Sequence, residues 1–133
     1  MARILFIDDE APIRLMAGEI LKLSGHEVVT AGDGRAGLQR AAEQPFDVVI
    51  TDLGMPSVDG WHVAKAIKQA SPATPVIMLT GWGQQLLAEG RTSPHVDQIL
   101  SKPVTMQDLR DALSKTMRRP VSSVPEVPEV PRT

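Results

Sequence analysis

Asp8, Asp9 and Glu10 put three acids in a row directly behind the apolar run ARILFI (2–7). Like charges at that spacing repel, so in an ordered site one must take up a proton or a cation must be near. A fourth acid, Asp52, follows the apolar run FDVVIT (46–51). Thr80 closes PVIMLT (75–80), and Lys102 follows VDQILS (96–101). Carboxylate donors without thiol or imidazole suit a hard cation, Mg²⁺ or Mn²⁺. Mg²⁺ commonly takes one or two carboxylates, several waters and a phosphate. A hydroxyl and an ammonium suit the remaining phosphoryl oxygens. The set reads as a phosphoryl-transfer site with a carboxylate nucleophile, Asp52.

Each residue taken singly has a plainer use. Asp-Asp-Glu ahead of a helix caps it and favours its dipole. Asp52 alone fits a turn, Thr80 a strand end and Lys102 a solvated surface charge. What raises them above this is their common placement, each at the carboxyl end of a strand-like run.

The elements that must position them alternate strictly. ARILFI reads as a buried strand, and Pro12 suits the first turn of a helix. Ile13, Met16, Ala17, Ile20 and Leu23 recur at helical spacing until Gly25. HEVVTA (26–31) is a second strand, and Asp33 caps a helix over 34–43 with Leu38, Ala41 and Ala42 inward. FDVVIT is the third strand. Asp59 caps the next helix, whose Val63, Ala64, Ile67 and Ala70 share a face. PVIMLT is the fourth strand, followed by a weak helix over 84–89. VDQILS is a fifth, less apolar strand. Thr105 and Asp108 form a T-x-x-D capping box for a helix to about Arg119.

Five β–α units imply a parallel sheet with helices on both faces. FDVVI and PVIML suit strands buried on both sides. The expected fold is flavodoxin-like, a doubly wound five-stranded sheet of order 2-1-3-4-5. In that order strands 1 and 3 are neighbours, and ligands bind beyond the carboxyl ends where the winding reverses. Asp8, Asp9 and Asp52 meet at that crevice.

Composition sets the outer bounds. The chain has 133 residues, enough for one domain with a real core. A formal net charge of −2 gives no general attraction to nucleic acid or an anionic membrane. The absence of cysteine excludes disulfides and thiolate metal sites. The first residues run straight into a strand, so no signal peptide is expected, and no apolar run spans a bilayer. The expected compartment is the cytoplasm. His26, His62 and His95 have no ligand spacing and read as surface or partly packed. Arg118 and Arg119 suit a helix C-terminus.

From Pro120 the composition changes. Residues 120–133 hold four prolines, with Val-Pro-Glu twice and then Val-Pro-Arg. The expected boundaries are a domain over 1–119 and a disordered tail or linker over 120–133. The three-residue period would put the valines on one edge of a polyproline II helix.

With IDDE at the first strand end, TDLGMPSVDG around Asp52, LTG at the fourth and SKP at the fifth, the chain resembles the receiver domain of two-component response regulators. The resemblance covers about 1–119. It implies that Asp52 accepts a phosphoryl group from a phosphohistidine on a sensor histidine kinase or a histidine phosphotransfer protein. It implies that Asp8 and Asp9 hold Mg²⁺, with Asp9 the direct ligand, and that Asp52 and the main-chain carbonyl of Gly54 complete the metal site. Lys102 would pair with the acyl phosphate, Thr80 would turn toward it, and Lys102-Pro103 would be cis. Such a domain is a phosphoacceptor rather than a conventional enzyme, catalysing at most its own phosphotransfer and slow dephosphorylation, and the resemblance leaves room for a homodimer. The downstream effector is not named by the sequence. No helix-turn-helix fits after 119, so the expectation is a single-domain regulator or a receiver cut from a larger protein such as a hybrid kinase.

The chain also departs from the family pattern. Ile99 stands where Tyr or Phe is usual, three residues before Lys102. Gly54 replaces a larger side chain, and Trp82 stands two residues after Thr80. In the family both positions tune phosphoryl lifetime. Two other readings compete. A haloacid-dehalogenase-like hydrolase needs D-x-D after its first strand with the nucleophile there, whereas Asp52 follows the third. A phosphorylation-independent interaction module would not need all five site residues. One outcome follows from the tail's proline-rich composition. Deleting 120–133 should leave the melting temperature within a few degrees of the full chain by circular dichroism.

Overall fold

The computed structural model describes residues 2–118 except 57, 83, 84, 87, 88, 91 and 92, with 117 and 118 described for backbone only. Five strands form one parallel sheet of order β2-β1-β3-β4-β5. They are β1 (Arg3–Ile7), β2 (Glu27–Ala31), β3 (Val48–Asp52), β4 (Val76–Thr80) and β5 (Gln98–Ser101). Among the described residues the helices are α1 (Ala11–Leu23), α2 (Gly34–Glu43), α3 (Gly60–Ala70) and α4 (Met106–Arg118). Part of the expected helix over 84–89, the tail over 120–133 and the side chains of Arg118 and Arg119 lie outside the described residues. Gln85 and Leu86 are helical, and the Leu86 N–H donates to the Trp82 carbonyl at 2.9 Å.

Strand residues alternate between the sheet's two faces. Ile4 and Phe6, Val48 and Ile50, Ile77 and Leu79 pack with Ala17 and Leu21 of α1 and Leu109 and Leu113 of α4. Leu5, Ile7, Val49 and Val76 pack on the other face with Val63, Ala64 and Ile67 of α3. Fully burying a side chain of this size contributes roughly 1.5–3 kcal/mol. All five residues of β3 and all five of β4 are buried, as runs covered on both faces require.

The caps form as the sequence implies. The Asp33 carboxylate accepts from the Ala36 N–H at 2.7 Å, and Asp59 accepts from the His62 N–H at 3.0 Å. Thr105 and Asp108 make the reciprocal pair of bonds, each 3.0 Å. Three inner faces differ from expectation. In α1 the buried residues are Ala17, Gly18 and Leu21, while Leu15, Met16 and Leu23 are exposed. That helix carries apolar residues on two sides, and the sheet takes only one. In α2, Ala42 is exposed, and the residues packed tightest are Gly34 and Gly37. Ala70, expected on the inner face of α3, is exposed at its last turn. Pro12 takes the second position of α1, in its first turn, where no intrahelical N–H is needed.

The polar character of β5 has a structural use. Asp97, just before it, accepts from the Lys68 ammonium at 2.9 Å and from the Val76 N–H at 2.7 Å. One carboxylate thus ties α3, β4 and the entry to β5. Gln98 donates to the Ala112 carbonyl at 2.8 Å and to the Thr116 hydroxyl, which pins α4 to the edge strand. Asp97→Ala would strand a part-buried backbone donor and an ammonium together. Urea denaturation should show a loss of about 2–3 kcal/mol, with Asp97→Asn losing less.

Candidate functional site

Parallel register sets the site. Ile7 is level with Thr51, so Asp8 and Asp52 leave β1 and β3 at the same height. Both continue the even-numbered rows that face α1 and α4, so their carboxylates turn the same way. Thr80 is level with Ser101, which delivers Lys102 to the same edge. The Lys102 N–H donates to the Thr80 carbonyl at 2.9 Å, and the Lys102-Pro103 bond is cis.

The close approach of α3 needs a glycine. A Cβ on Gly60 would stand 2.5 Å from the Asp52 carbonyl oxygen and 2.8 Å from the Leu53 Cα. The Gly60 N–H donates to the Leu53 carbonyl at 2.8 Å. Asp-Gly before an apolar stripe signals the cap; the tight packing behind it has no local signal.

Carboxylate oxygens of Asp8, Asp9 and Asp52 all lie within 4.8 Å of one another. Asp8 and Asp52 are buried and Asp9 is exposed. The Lys102 ammonium stands 3.1 Å from Asp52 and 3.2 Å from Asp8. Glu10 reaches it at 3.7 Å. The capping alternative for the acids does not describe this geometry. Glu10 takes the N-cap position of α1 with no side-chain cap bond, and Asp8 accepts from the Glu10 N–H at 2.9 Å.

Burial pushes the Asp52 carboxyl above the usual carboxylate range, and the nearby Asp8 and Asp9 add to it. The Lys102 hydrogen bond and charge work against this without cancelling it. Burial likewise opposes the Lys102 charge, but its bonds to Asp52 and Asp8 outweigh that and raise its pKa.

The donor set fits a divalent cation. Asp8 Oδ2 is fully buried and has no hydrogen bond of proper geometry, although Lys102 is near. A buried acceptor of that kind is costly unless something positive meets it. The ammonium bridging Asp8 and Asp52 already occupies a cation's place between the two acids. All the donors are hard oxygens, as Mg²⁺ requires. Gly54 is exposed beside them, and a Cβ there would meet nothing within 4 Å.

Thr80 is 2% exposed, and its hydroxyl accepts from the Trp82 N–H at 3.1 Å. The Trp82 side chain is 62% exposed beside an open polar recess lined by Gly81, Gln85, Ser101 and Lys102. Ile99 is half-buried against the cluster of Leu53, Met78 and Leu86. The histidines stay outside the acid cluster; His62 pairs with its own cap, Asp59, at 2.7 Å. Arg14 was not singled out by residue pattern, yet its guanidinium donates to the Asp8 carbonyl at 2.7 Å.

A family model described as response regulator receiver domain matches residues 4–114. The response regulator receiver protein CpdR of Brucella abortus is 28% identical over 117 residues, covering 88% of this chain and 98% of that protein. The virulence sensor protein BvgS of Bordetella pertussis is 31% identical, covering 96% of this chain but 11% of that protein. A solved receiver domain from Clostridium thermocellum superposes with a TM-score of 0.82 at 36% identity, covering 93% of this chain and all of that one. Thermotoga maritima TrrA, solved in complex with Mg²⁺-BeF, gives 0.78 at 30% identity, covering 87% of this chain and 99% of that one. The chain belongs to the response regulator receiver domain family. It is thus a phosphorylation-dependent signalling domain of two-component systems rather than a conventional enzyme. Among the described residues no helix is long and apolar enough to cross a membrane.

The raised Asp52 pKa has a signed consequence. The folded state binds this proton more tightly than the unfolded chain. The stability tied to protonation is therefore full below the ordinary carboxylate range and is lost as pH rises through the raised value. In EDTA at neutral pH, Asp52→Asn should be more stable than wild type, because the amide is buried without the cost of a charge. Thermal melts should show the gap closing as the pH is lowered toward 4, on the same linkage.

Proposed function

We propose that Asp52 accepts a phosphoryl group from a phosphohistidine on a sensor histidine kinase or a histidine phosphotransfer protein. The observation that carries this is the shared edge, where one buried carboxylate stands beside two more and an ammonium. A carboxylate oxygen of Asp52 attacks phosphorus, the new P–O bond forms as P–N breaks, and the electron pair leaves on the imidazole nitrogen. Lys102 is within reach of the transferred oxygens and would meet their charge as it now meets Asp52. Mg²⁺, or Mn²⁺, would be held by Asp8, Asp9, Asp52 and the main-chain carbonyl of Gly54, and would neutralise charge on the phosphoryl oxygens when bound. Thr80 would exchange its bond to the Trp82 N–H for one to the phosphoryl group.

The donor's approach is suggested by the surface next to Lys102. An apolar cleft between α1 and α4, lined by Ile13, Met16, Ile20, Pro103 and Val104, ends at Lys102. Leu15 and Met16 stand exposed beside it. A histidine that reaches Asp52 brings its carrier across this face. The same residues would then support the domain's own phosphotransfer and slow dephosphorylation. This reading places the domain in the cytoplasm, alone or within a longer regulator or hybrid kinase. The competing reading, binding independent of phosphorylation, gives no use to the acid cluster or to Lys102.

Incubation with acetyl phosphate and Mg²⁺ should add one phosphoryl mass to the wild-type chain by intact mass spectrometry. Asp52→Asn should add none, and EDTA should suppress the wild-type adduct. Equal labelling of Asp52→Asn would sink the assignment.

A further inference from the structure

Asp8 is held at three points. Its N–H donates to the Ala31 carbonyl of β2 at 3.1 Å, one carboxylate oxygen accepts from the Glu10 N–H, and its main-chain carbonyl accepts from Arg14 at 2.7 Å. The first two bonds come from main-chain N–H groups. The third comes from a side chain on α1, and it acts on a particular unit. The Asp8 carbonyl belongs to the rigid plane that ends at the Asp9 Cα. Fixing that oxygen fixes where Asp9 starts, and so where its exposed carboxylate can reach.

Arg14 is itself seated by a glycine. A Cβ on Gly32 would lie 3.3 Å from Arg14 Nη1 and 3.5 Å from its Cζ. Gly32 is not among the positive-φ glycines, so its backbone imposes no demand for glycine. What it leaves is room for the guanidinium between the β2–α2 loop and the acid-bearing turn. A cation near the start of a helix is also unfavourable toward the helix dipole, which makes its carbonyl bond more telling. A bond from an ionised donor is roughly twice as strong as a neutral one.

We propose that Arg14 is a positioning residue for the acid pocket, clamping the Asp8–Asp9 peptide so that both carboxylates face one cation. It rests on the reading of Asp8, Asp9 and Asp52 as a Mg²⁺ site. Arg14 touches neither the metal nor the phosphoryl group; it acts through the main chain of Asp8. Its positive charge by itself would repel Mg²⁺, so geometry and charge make opposite predictions for its removal.

Calorimetric titration of the full chain with Mg²⁺ alone separates them. Wild type should bind, and Asp9→Asn should lose binding. Arg14→Ala should raise the Kd roughly tenfold, the low end for loss of an outer partner of a metal ligand. Arg14→Lys, which keeps a charged N–H donor that can reach the Asp8 carbonyl with poorer geometry, should fall between. Gly32→Val should weaken binding with Arg14 intact, by displacing the guanidinium. Combining it with Arg14→Ala should add nothing, because both remove one contact. An unchanged or lower Kd in Arg14→Ala, with wild type binding normally, overturns the proposal and leaves the metal site standing. Should Arg14→Ala not fold, an unchanged Kd in Gly32→Val overturns it equally. Failure of wild type to bind Mg²⁺ overturns the metal reading and this inference together.

Discussion

The balance of charge around Lys102 is the constraint to which the rest of the structure answers. Asp8 and Asp52 are buried with Asp9 and Glu10 close by, and a single ammonium stands among them. Like charges about 4 Å apart repel by roughly 4 kcal/mol at an effective dielectric near 20. Lys102 offsets part of this, while burial, more than the repulsion, holds the Asp52 carboxyl above its ordinary range. The site therefore carries negative charge that the chain's own residues do not fully satisfy. A divalent cation or a proton relieves it. That makes the pocket sensitive to its occupants in a way that a neutral or fully paired cluster is not.

Holding such a cluster in place requires a sheet that does not yield. The buried rows of β1, β3 and β4 provide it, with helices on both faces. The parity of these rows also fixes the direction of the acids. Shifting β3 by one residue against β1 would turn Asp52 toward α3 and take it away from Lys102. The α3 side presses close through Gly60, so the main chain after Asp52 has little freedom. At the lysine end, Gln98 and Asp97 tie β5 and α4 to the core by polar contacts, because this edge strand buries little apolar area. Stability and site geometry are thus supplied by different residues, and the second set is mostly polar.

That division explains what could be read from the sequence. Apolar runs disclosed the strands, and Asp33, Asp59 and Thr105 disclosed helix starts, because both signals are local. The convergence of Asp8, Asp52, Thr80 and Lys102 followed from strand order, since topology decides which run ends share an edge. Other contacts have no local pattern. Asp97 looked like one more residue of a weak strand, yet it joins three elements. Arg14 sits in an ordinary helical position, and its partner is a main-chain carbonyl with no side-chain signature. On α1 the helical spacing marked Ile13, Ala17 and Ile20, which pack on the sheet, together with Met16 and Leu23, which stay exposed. Apolar residues left outside by the core read in sequence like residues that belong to it.

Ile99, three residues before Lys102, gives the edge of this pocket an aliphatic side chain. Ile99 packs into the small cluster of Leu53, Met78 and Leu86 and carries no hydroxyl or ring. Thr80 is instead coupled to the main chain, through its bond from the Trp82 N–H. Turning that hydroxyl toward an occupant of the acid pocket would leave the Trp82 N–H without its acceptor. Such a group must then find water or another acceptor. The Trp82 carbonyl in turn accepts from Leu86, whose side chain lies in the same cluster as Ile99. If Thr80 turns in this way, the disturbance would pass along the Thr80–Trp82 and Trp82–Leu86 hydrogen bonds, and the exposed indole sits at the first of them.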